Sequence, residues 1–153
     1  MTLPSAITTL IELAVTETDE AAKRLGYAIR AGDEEQNKLA LLLQYREDYA
    51  ARFQASLTVG LTPMGYRNFQ LFMDKLDTAI GGQQQVVQAA QARIEKERAA
   101  WQAGERKRMS YGTLANRAHQ EAQRKESRRD QKMTDEQATR LAQANQHQTS
   151  VKR

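Results

Sequence analysis

The fold of this chain is decided by one short stretch, TVGLTPMG, at residues 58–65. It is the only place in the sequence where proline and glycine cluster, and such clusters mark turns. Thr62 followed by a proline suits a helix N-cap and the first residue of a helix. The pattern predicts a first helix over about residues 4–57, a turn at 58–65, a second helix over about 66–140 and a tail to 153.

The composition also favours long helices. Ala, Leu, Glu, Lys and Arg supply 72 of the 153 residues and glutamine supplies 17 more, a balance typical of coiled coils. Aromatic residues make up only 6% of the chain, which is too few for a well-filled compact globule. Strands are a poor alternative because alternating β-branched runs and Asn-Gly hairpin turns are absent from the sequence. We predict a single all-α domain.

Two rows of residues at alternating spacings of three and four define a coiled-coil seam. On the first helix the row is Ile7, Ile11, Ala14, Thr18, Ala21, Leu25, Ala28, Gly32, Glu35, Leu39, Leu42, Arg46, Tyr49 and Phe53. On the second it is Phe69, Met73, Leu76, Ile80, Gln83, Val87, Ala90, Ile94, Glu97, Trp101, Gly104, Arg108, Tyr111 and Ala115. The seam predicts a long antiparallel two-helix coiled-coil hairpin, although it could also pair two chains that each stay extended.

A fold-back at residue 61 gives every facing pair the same sum of residue numbers. Phe53 then faces Phe69, and the large Trp101 faces the small Ala21. Residues beyond Ala115 find no partner on the first helix, so we expect an overhanging C-terminal helical segment. The last ten residues, ANQHQTSVKR, are polar and are expected to fray.

Charge is distributed unevenly along the chain. Residues 1–100 carry 11 basic and 13 acidic side chains, whereas residues 101–153 carry 12 basic and 6 acidic ones. A basic helix can bind nucleic acid through its phosphates, but acidic residues are interleaved here and no aromatic side chains are arranged to stack on bases. An acidic protein surface is therefore the better match, and we expect no nucleic-acid partner.

The sequence offers no catalytic, cofactor-binding or metal-binding constellation. The only histidines, His119 and His147, lie in the polar overhang, and Gly81-Gly82 is followed by glutamines instead of a phosphate-binding lysine. There is no cysteine, which excludes a thiolate metal site. No apolar run is long enough to span a membrane, and the N-terminal stretch lacks the basic region of a secretion signal. We expect a cytoplasmic protein that is not an enzyme.

Apolar residues also flank the seam near the turn. Tyr45 lies one helical turn before Tyr49, while Phe72, Leu76 and Ala79 follow a helical spacing on the second helix. These residues either widen the seam or form an exposed patch for a partner.

The sequence resembles the FliJ family, small coiled-coil components of the bacterial flagellar type III protein export apparatus. The resemblance runs to about Arg140 and is carried by LLLQYREDY (41–49), NFQLFMDKLDTAI (68–80), Trp101 and RRDQKMTDEQATR (128–140). It implies an antiparallel hairpin that looks like the stalk subunit of rotary ATPases. It also implies binding to the export ATPase hexamer, to the linker of the membrane export gate and to substrate-specific export chaperones, at the inner-membrane export apparatus.

The resemblance further implies which residues bind these partners. The gate-binding patch would comprise Leu42, Tyr45, Tyr49, Phe72, Leu76 and Ala79, with Lys38 and Gln83 at its edges. The ATPase-facing end would comprise Arg128, Asp130, Gln131, Lys132, Asp135 and Glu136. Two alternatives remain at this point: a stalk protein of a virulence type III secretion system, or a basic nucleic-acid-binding helix attached to a coiled coil.

Overall fold

The chain forms two long α-helices, as seen in a computed structural model that describes the backbone of residues 3–152 and the side chains of residues 5–152. Helix α1 spans Leu3–Val59 and helix α2 spans Pro63–Val151. No strand occurs in the described part of the chain, and the two helices pack against each other. The predicted all-α hairpin class is confirmed.

Contacts divide the chain into two units, which are described separately below. The hairpin unit is Val15–Arg106, and the terminal unit combines Met1–Ala14 with Lys107–Arg153. The reversal of the chain lies in the hairpin unit.

The reversal is built from only three residues between the helices. Gly60, directly after α1, has a φ of +98°, a left-handed conformation that glycine adopts without steric cost and that commonly ends helices. Thr62 then caps α2: its hydroxyl oxygen accepts a hydrogen bond of 3.1 Å from the backbone N–H of Gly65. The predicted N-cap is confirmed, but the connection is shorter than the predicted turn at 58–65 because Gly60 alone suffices to stop α1.

The predicted seam is confirmed by burial. Every seam residue predicted on either helix is buried or half-buried, except Arg46 and Arg108, which are exposed. These two arginines stay exposed at seam positions because their long, charged side chains can reach water from a seam that is only two helices thick. The most buried side chains in the hairpin unit are Thr18, Ala21 and Ala28 on α1 and Leu76, Ile80 and Ile94 on α2.

The register of the hairpin unit agrees with the predicted fold-back at two well-separated points. Near the turn, the rings of Phe53 and Phe69 stack with their centroids 3.7 Å apart. Far from the turn, Gly104 packs so closely on Thr18 that an added Cβ would lie 2.8 Å from the threonine Oγ1 and 3.4 Å from its Cα. Antiparallel pairing in the hairpin unit is therefore in the expected register.

In the terminal unit the seam is short. Ile7 and Ala115 are half-buried and line one cavity of about 280 Å³ together with Ala118 and His119. From Glu121 to Lys152 every described residue is exposed. We call residues 121–152 the arm.

The arm corrects one sequence prediction. The second helix was expected to end near residue 140 and its tail to fray, but α2 continues to Val151. The expectation relied on the low apolar content of the last residues, which bears on packing and not on local helix formation. Residues 141–148, LAQANQHQ, contain strong helix formers and neither glycine nor proline, so the helix has no local reason to stop.

Candidate functional site

An aromatic cluster lies beside the turn of the hairpin unit. The ring of Phe69 stacks on Phe53, and its centroid lies 5.5 Å from that of Tyr49. Tyr66 approaches Phe53 at 5.9 Å, and Phe72 approaches Tyr49 at 4.2 Å. Such pairs contribute about 0.5–1.5 kcal/mol each beyond the area they bury. The cluster thus fixes the position of the side chains around the turn.

The structure divides the predicted gate-binding residues into an exposed and a covered set. Tyr45 is 54% exposed, Phe72 is 42% exposed and Ala79 is also exposed. Leu42 and Tyr49 are half-buried, and Leu76 is only 8% exposed because it belongs to the seam. We call Leu42, Tyr45, Tyr49, Phe72 and Ala79 the tip patch; Leu76 supports this patch from beneath.

Two apolar residues extend the tip patch beyond what the sequence reasoning included. Val86, 44% exposed, continues the seven-residue spacing of Phe72 and Ala79, and Leu41, 51% exposed, precedes Tyr45 by one helical turn. Their spacing alone could have identified both residues.

The polar edge of the tip patch is organised around Glu35. Gln83 donates hydrogen bonds to the Glu35 carboxylate at 2.6 Å and to its backbone carbonyl at 2.9 Å. Lys38 also contacts the same carboxylate, at 3.2 Å. The hydrogen bond from Gln83, followed by that from Lys38, lowers the pKa of the Glu35 carboxyl below its ordinary value. The two predicted edge residues, Lys38 and Gln83, are thereby joined across the seam.

Two ion pairs also cross the hairpin unit. The Nε of Arg46 lies 2.7 Å from the Asp77 carboxylate, and this hydrogen bond raises the pKa of the Arg46 guanidinium. The Nε of Arg24 lies 3.2 Å from the Glu97 carboxylate. Both pairs are partly exposed, so they help to fix the register more than they stabilise the fold.

All six residues predicted to face the ATPase lie on the arm and are exposed. The described structure brings only two of them together: Gln131 donates a hydrogen bond of 3.2 Å to the Asp135 carboxylate, one turn along the helix. Among the described residues, no ion pair engages Arg128 or Lys132, so both cations are open to a partner.

The basic surface of α2 begins before the predicted residues. In the terminal unit, Arg128 shares a shallow groove on one helix face with Arg117, Arg124 and Lys125. The helical spacing of these cations was visible in the sequence, but the predicted set began only at Arg128 because it followed the resemblance and not the periodicity.

Within residues 3–152, no helix carries a stretch long and apolar enough to cross a membrane. The same residues contain no group of three or more histidine, cysteine, aspartate or glutamate side chains arranged to hold a metal ion. Helices α1 and α2 define a two-helix coiled-coil protein.

Comparison with known proteins gives the family. A family model described as "Flagellar FliJ protein" matches residues 4–147. The chain is 28% identical over 137 residues to the flagellar FliJ protein of Escherichia coli (strain K12), covering 90% of this chain and 93% of the relative. It is 30% identical over 139 residues to the flagellar FliJ protein of Salmonella typhi, with the same coverage.

The chain belongs to the flagellar FliJ family. The predicted resemblance is confirmed, and membership makes the protein a component of flagellar export. It also favours the flagellar system over the virulence secretion system that the sequence analysis left open.

Proposed function

We propose that this protein is a non-enzymatic adaptor of the flagellar export apparatus. It binds the hexameric export ATPase like a stalk and promotes its assembly and activity. It also engages the linker of the membrane export gate and escorts substrate-specific export chaperones. It works in the cytoplasm, peripherally associated with the inner-membrane apparatus. Family membership supports this assignment. So does the exposure of Tyr45 and Phe72 in the tip patch and of the whole arm.

The observation that carries the gate-binding role is the exposure of aromatic side chains at the tip patch. Tyr45 and Phe72 keep about half of their surface in water, and the ring of Phe72 is held against that of Tyr49 at 4.2 Å. Aromatic residues that are exposed and yet held in place lose little conformational entropy on binding, which makes them effective interface anchors. The tip patch thus provides a rigid apolar surface for the gate linker.

Replacing one aromatic anchor tests this role. Phe72→Ala is expected to weaken binding of the gate linker about tenfold or more, as loss of a central aromatic anchor does. Helicity should remain near that of the wild type because Phe72 lies outside the seam. The measurement is a calorimetric titration of the full-length protein with the isolated linker, accompanied by circular dichroism.

Leu71→Ala is the matched control for this test. Leu71 neighbours Phe72, is 55% exposed and lies outside the tip patch, so its truncation should change the affinity by less than about twofold. Equal affinities of the wild type and Phe72→Ala would remove the tip patch as the gate-binding surface.

The arm supports the ATPase-binding role. Its exposed residues extend over about 50 Å at 1.5 Å per residue, and Arg128 and Lys132 lie one turn apart on it.

The double reversal Arg128→Glu and Lys132→Glu is expected to abolish stimulation of the export ATPase without changing the melting temperature. Arg93→Glu with Lys96→Glu, an equal charge change at exposed positions of α2 in the hairpin unit, is the control. Stimulation that survives in the arm variant would exclude these residues.

A further inference from the structure

The hairpin unit carries a second apolar row on the other side of its seam from the tip patch. Its members are spaced seven residues apart, with Gln36 as the one polar interruption. Each member comes directly after a predicted seam residue, or, for Leu57, after the position where the next seam residue would fall. They are Ala22, Ile29, Leu43, Ala50 and Leu57. Ile29 is 37% exposed, Leu43 43% and Leu57 52%, so the row keeps substantial apolar surface in water.

Contacts in the hairpin unit establish that the seam has two distinct sides. Phe72, which directly precedes a seam residue on α2, packs on Tyr49 on the side of the tip patch. Asp77, which directly follows the seam residue Leu76, pairs instead with Arg46. In antiparallel coiled coils, the positions that follow the seam on the two helices share one side, and those that precede it share the other. The second apolar row therefore lies on the side of Asp77.

This second side is acidic. Ile29 and Leu43 are each followed one helical turn later by an exposed carboxylate, Asp33 and Glu47 respectively. In the described part of the chain neither carboxylate forms an ion pair. On α2 the opposite edge carries Asp77. We call the apolar row with these flanking carboxylates the acidic side.

Two cations on the acidic side are already engaged, whereas Arg67, beside Leu57 at the turn end of the row, forms no ion pair among the described residues. Arg98, near this edge on α2, lies 3.2 Å from the carboxylate of Glu95, and Arg46 is bound to Asp77. The other side of the hairpin unit instead presents exposed cations on α2, among them Arg93 and Lys96. The two sides thus differ in charge, although each has an apolar row.

The spacing of the row indicates what kind of surface would cover it. A straight row of apolar residues beside a groove between two helices accommodates a third helix, as in helical bundles. The distance from Ile29 to Leu43 is about 21 Å along the helix, which a partner helix of about 15–20 residues would cover. Unpaired carboxylates on the flank select a partner with basic flanks, because like charges across an interface are costly.

A second copy of this chain is a poor occupant for the same reason. Two acidic sides brought face to face would place the carboxylates of one copy against those of the other. We propose that the acidic side of the hairpin unit binds an amphipathic helix of a protein partner whose apolar stripe is flanked by lysine and arginine. This binding surface is separate from the tip patch and from the arm.

A synthetic probe tests the proposal. The probe is a fluorescently labelled amphipathic helical peptide of about 21 residues, with a leucine stripe and lysine flanks, titrated into the full-length protein and followed by anisotropy. An otherwise identical peptide with glutamate flanks is expected to bind at least tenfold more weakly. Equal binding of the two peptides would overturn the proposal.

Charge reversals locate the probe on the surface. Asp33→Lys with Glu47→Lys is expected to weaken binding of the lysine-flanked peptide about fivefold to tenfold at low salt, and less at high salt. Glu34→Lys with Asp48→Lys is the matched control, because these exposed neighbours carry the same charge but lie on the other flank of α1. The control should change binding by less than about threefold. Equal loss in both variants would indicate unspecific attraction to α1 and overturn the proposal.

Apolar substitutions complete the test. The double substitution Ile29→Ser with Leu43→Ser is expected to weaken binding of the lysine-flanked peptide at least fivefold. Leu41 is half-exposed but lies outside the row, so Leu41→Ser should leave the binding unchanged. Phe72→Ala should leave peptide binding intact, which separates this surface from the proposed gate-binding patch. Sedimentation that shows a dimer of the wild type, lost in Ile29→Ser with Leu43→Ser, would assign the row to a second copy and overturn the proposal.

Discussion

The hairpin unit and the arm are both helical, but they are helical for different reasons. In the hairpin unit the seam buries small α1 side chains, such as Ala21 and Ala28, and larger α2 side chains, such as Ile80 and Ile94. In the arm every described residue is exposed, so no packing holds the helix. Its helix depends on the intrinsic propensity of its alanine, glutamine, arginine and lysine residues.

This difference teaches where stability and binding can reside. The seam is narrow, and among the described residues no large side chain is completely shielded from water. Each buried side chain therefore carries a large share of a small total stability. Arm residues contribute almost nothing to this stability. Their side chains can therefore be selected for binding alone.

The largest expected effect comes from placing a charge in the seam. Ile80 is only 7% exposed. The substitution Ile80→Asp should reduce the free energy of unfolding by about 3 kcal/mol or more, because an unpaired carboxylate would be buried against α1. Thermal unfolding followed by circular dichroism measures the loss. For a two-helix seam, this loss should unfold much of the hairpin unit at 37 °C.

The same substitution in the arm is the contrast. Leu141 is 67% exposed. The substitution Leu141→Asp should therefore change the free energy of unfolding by less than about 0.5 kcal/mol. If Leu141→Asp destabilised the protein as strongly as Ile80→Asp, the arm would be packed in solution and the distinction between the two regions would be lost.

Much of this architecture is predictable from the sequence because a coiled coil depends on periodicity. The three-and-four spacing gives the seam, and the glycine and proline near residue 61 give the reversal; together they fix the register that brings Phe53 to Phe69 and Thr18 to Gly104. These are local rules with one solution, since a different register would leave apolar residues unpaired.

Features that depend on individual side chains were not predictable in this way. Arg46 occupies a seam position in the sequence but turns outward to Asp77, a choice that depends on the position of a carboxylate on the other helix. Leu76 fits both the seam and the predicted patch by spacing, and only its burial assigns it to the seam. The polarity of the last residues predicts fraying, but α2 continues to Val151 because exposed polar residues can be strong helix formers.

The next effect in size distinguishes glycines that the sequence treats as equivalent. At Gly104 an added Cβ would lie 2.8 Å from the Oγ1 of Thr18, so Gly104→Ala should force the helices apart and destabilise the hairpin unit by about 1 kcal/mol or more. At Gly82 an added Cβ would meet nothing within 4 Å, so Gly82→Ala should stabilise it by about 0.5–1 kcal/mol through helix propensity alone. Urea unfolding curves measure both changes.

Opposite signs for these two substitutions would support close packing of the helices at Gly104. If Gly104→Ala were as stabilising as Gly82→Ala, the two helices would not approach each other closely at Thr18. The packed end of the hairpin unit would then behave like the arm, where only local propensity matters.

The smallest expected effect concerns the dependence of stability on pH. Hydrogen bonds from Gln83 and Lys38 lower the pKa of Glu35 in the folded state below its ordinary value. A lowered folded pKa means that the ionised carboxylate stabilises the protein above about pH 4.5, and that this contribution is lost as the pH falls through the folded pKa. Glu35→Gln should therefore lower the melting temperature slightly at pH 7 and reduce the further loss between pH 5 and pH 3.

The exposed neighbour Glu34 provides the control for this last comparison, since no hydrogen bond or ion pair engages its side chain within residues 3–152. Glu34→Gln should leave the pH dependence of the melting temperature close to that of the wild type. Glu35 differs from its neighbour only in lying on the seam, where Gln83 of the other helix reaches it at 2.6 Å. If both variants had the same pH profile, this contact across the seam would not persist in solution, and the polar edge of the tip patch would be as mobile as an exposed helix surface.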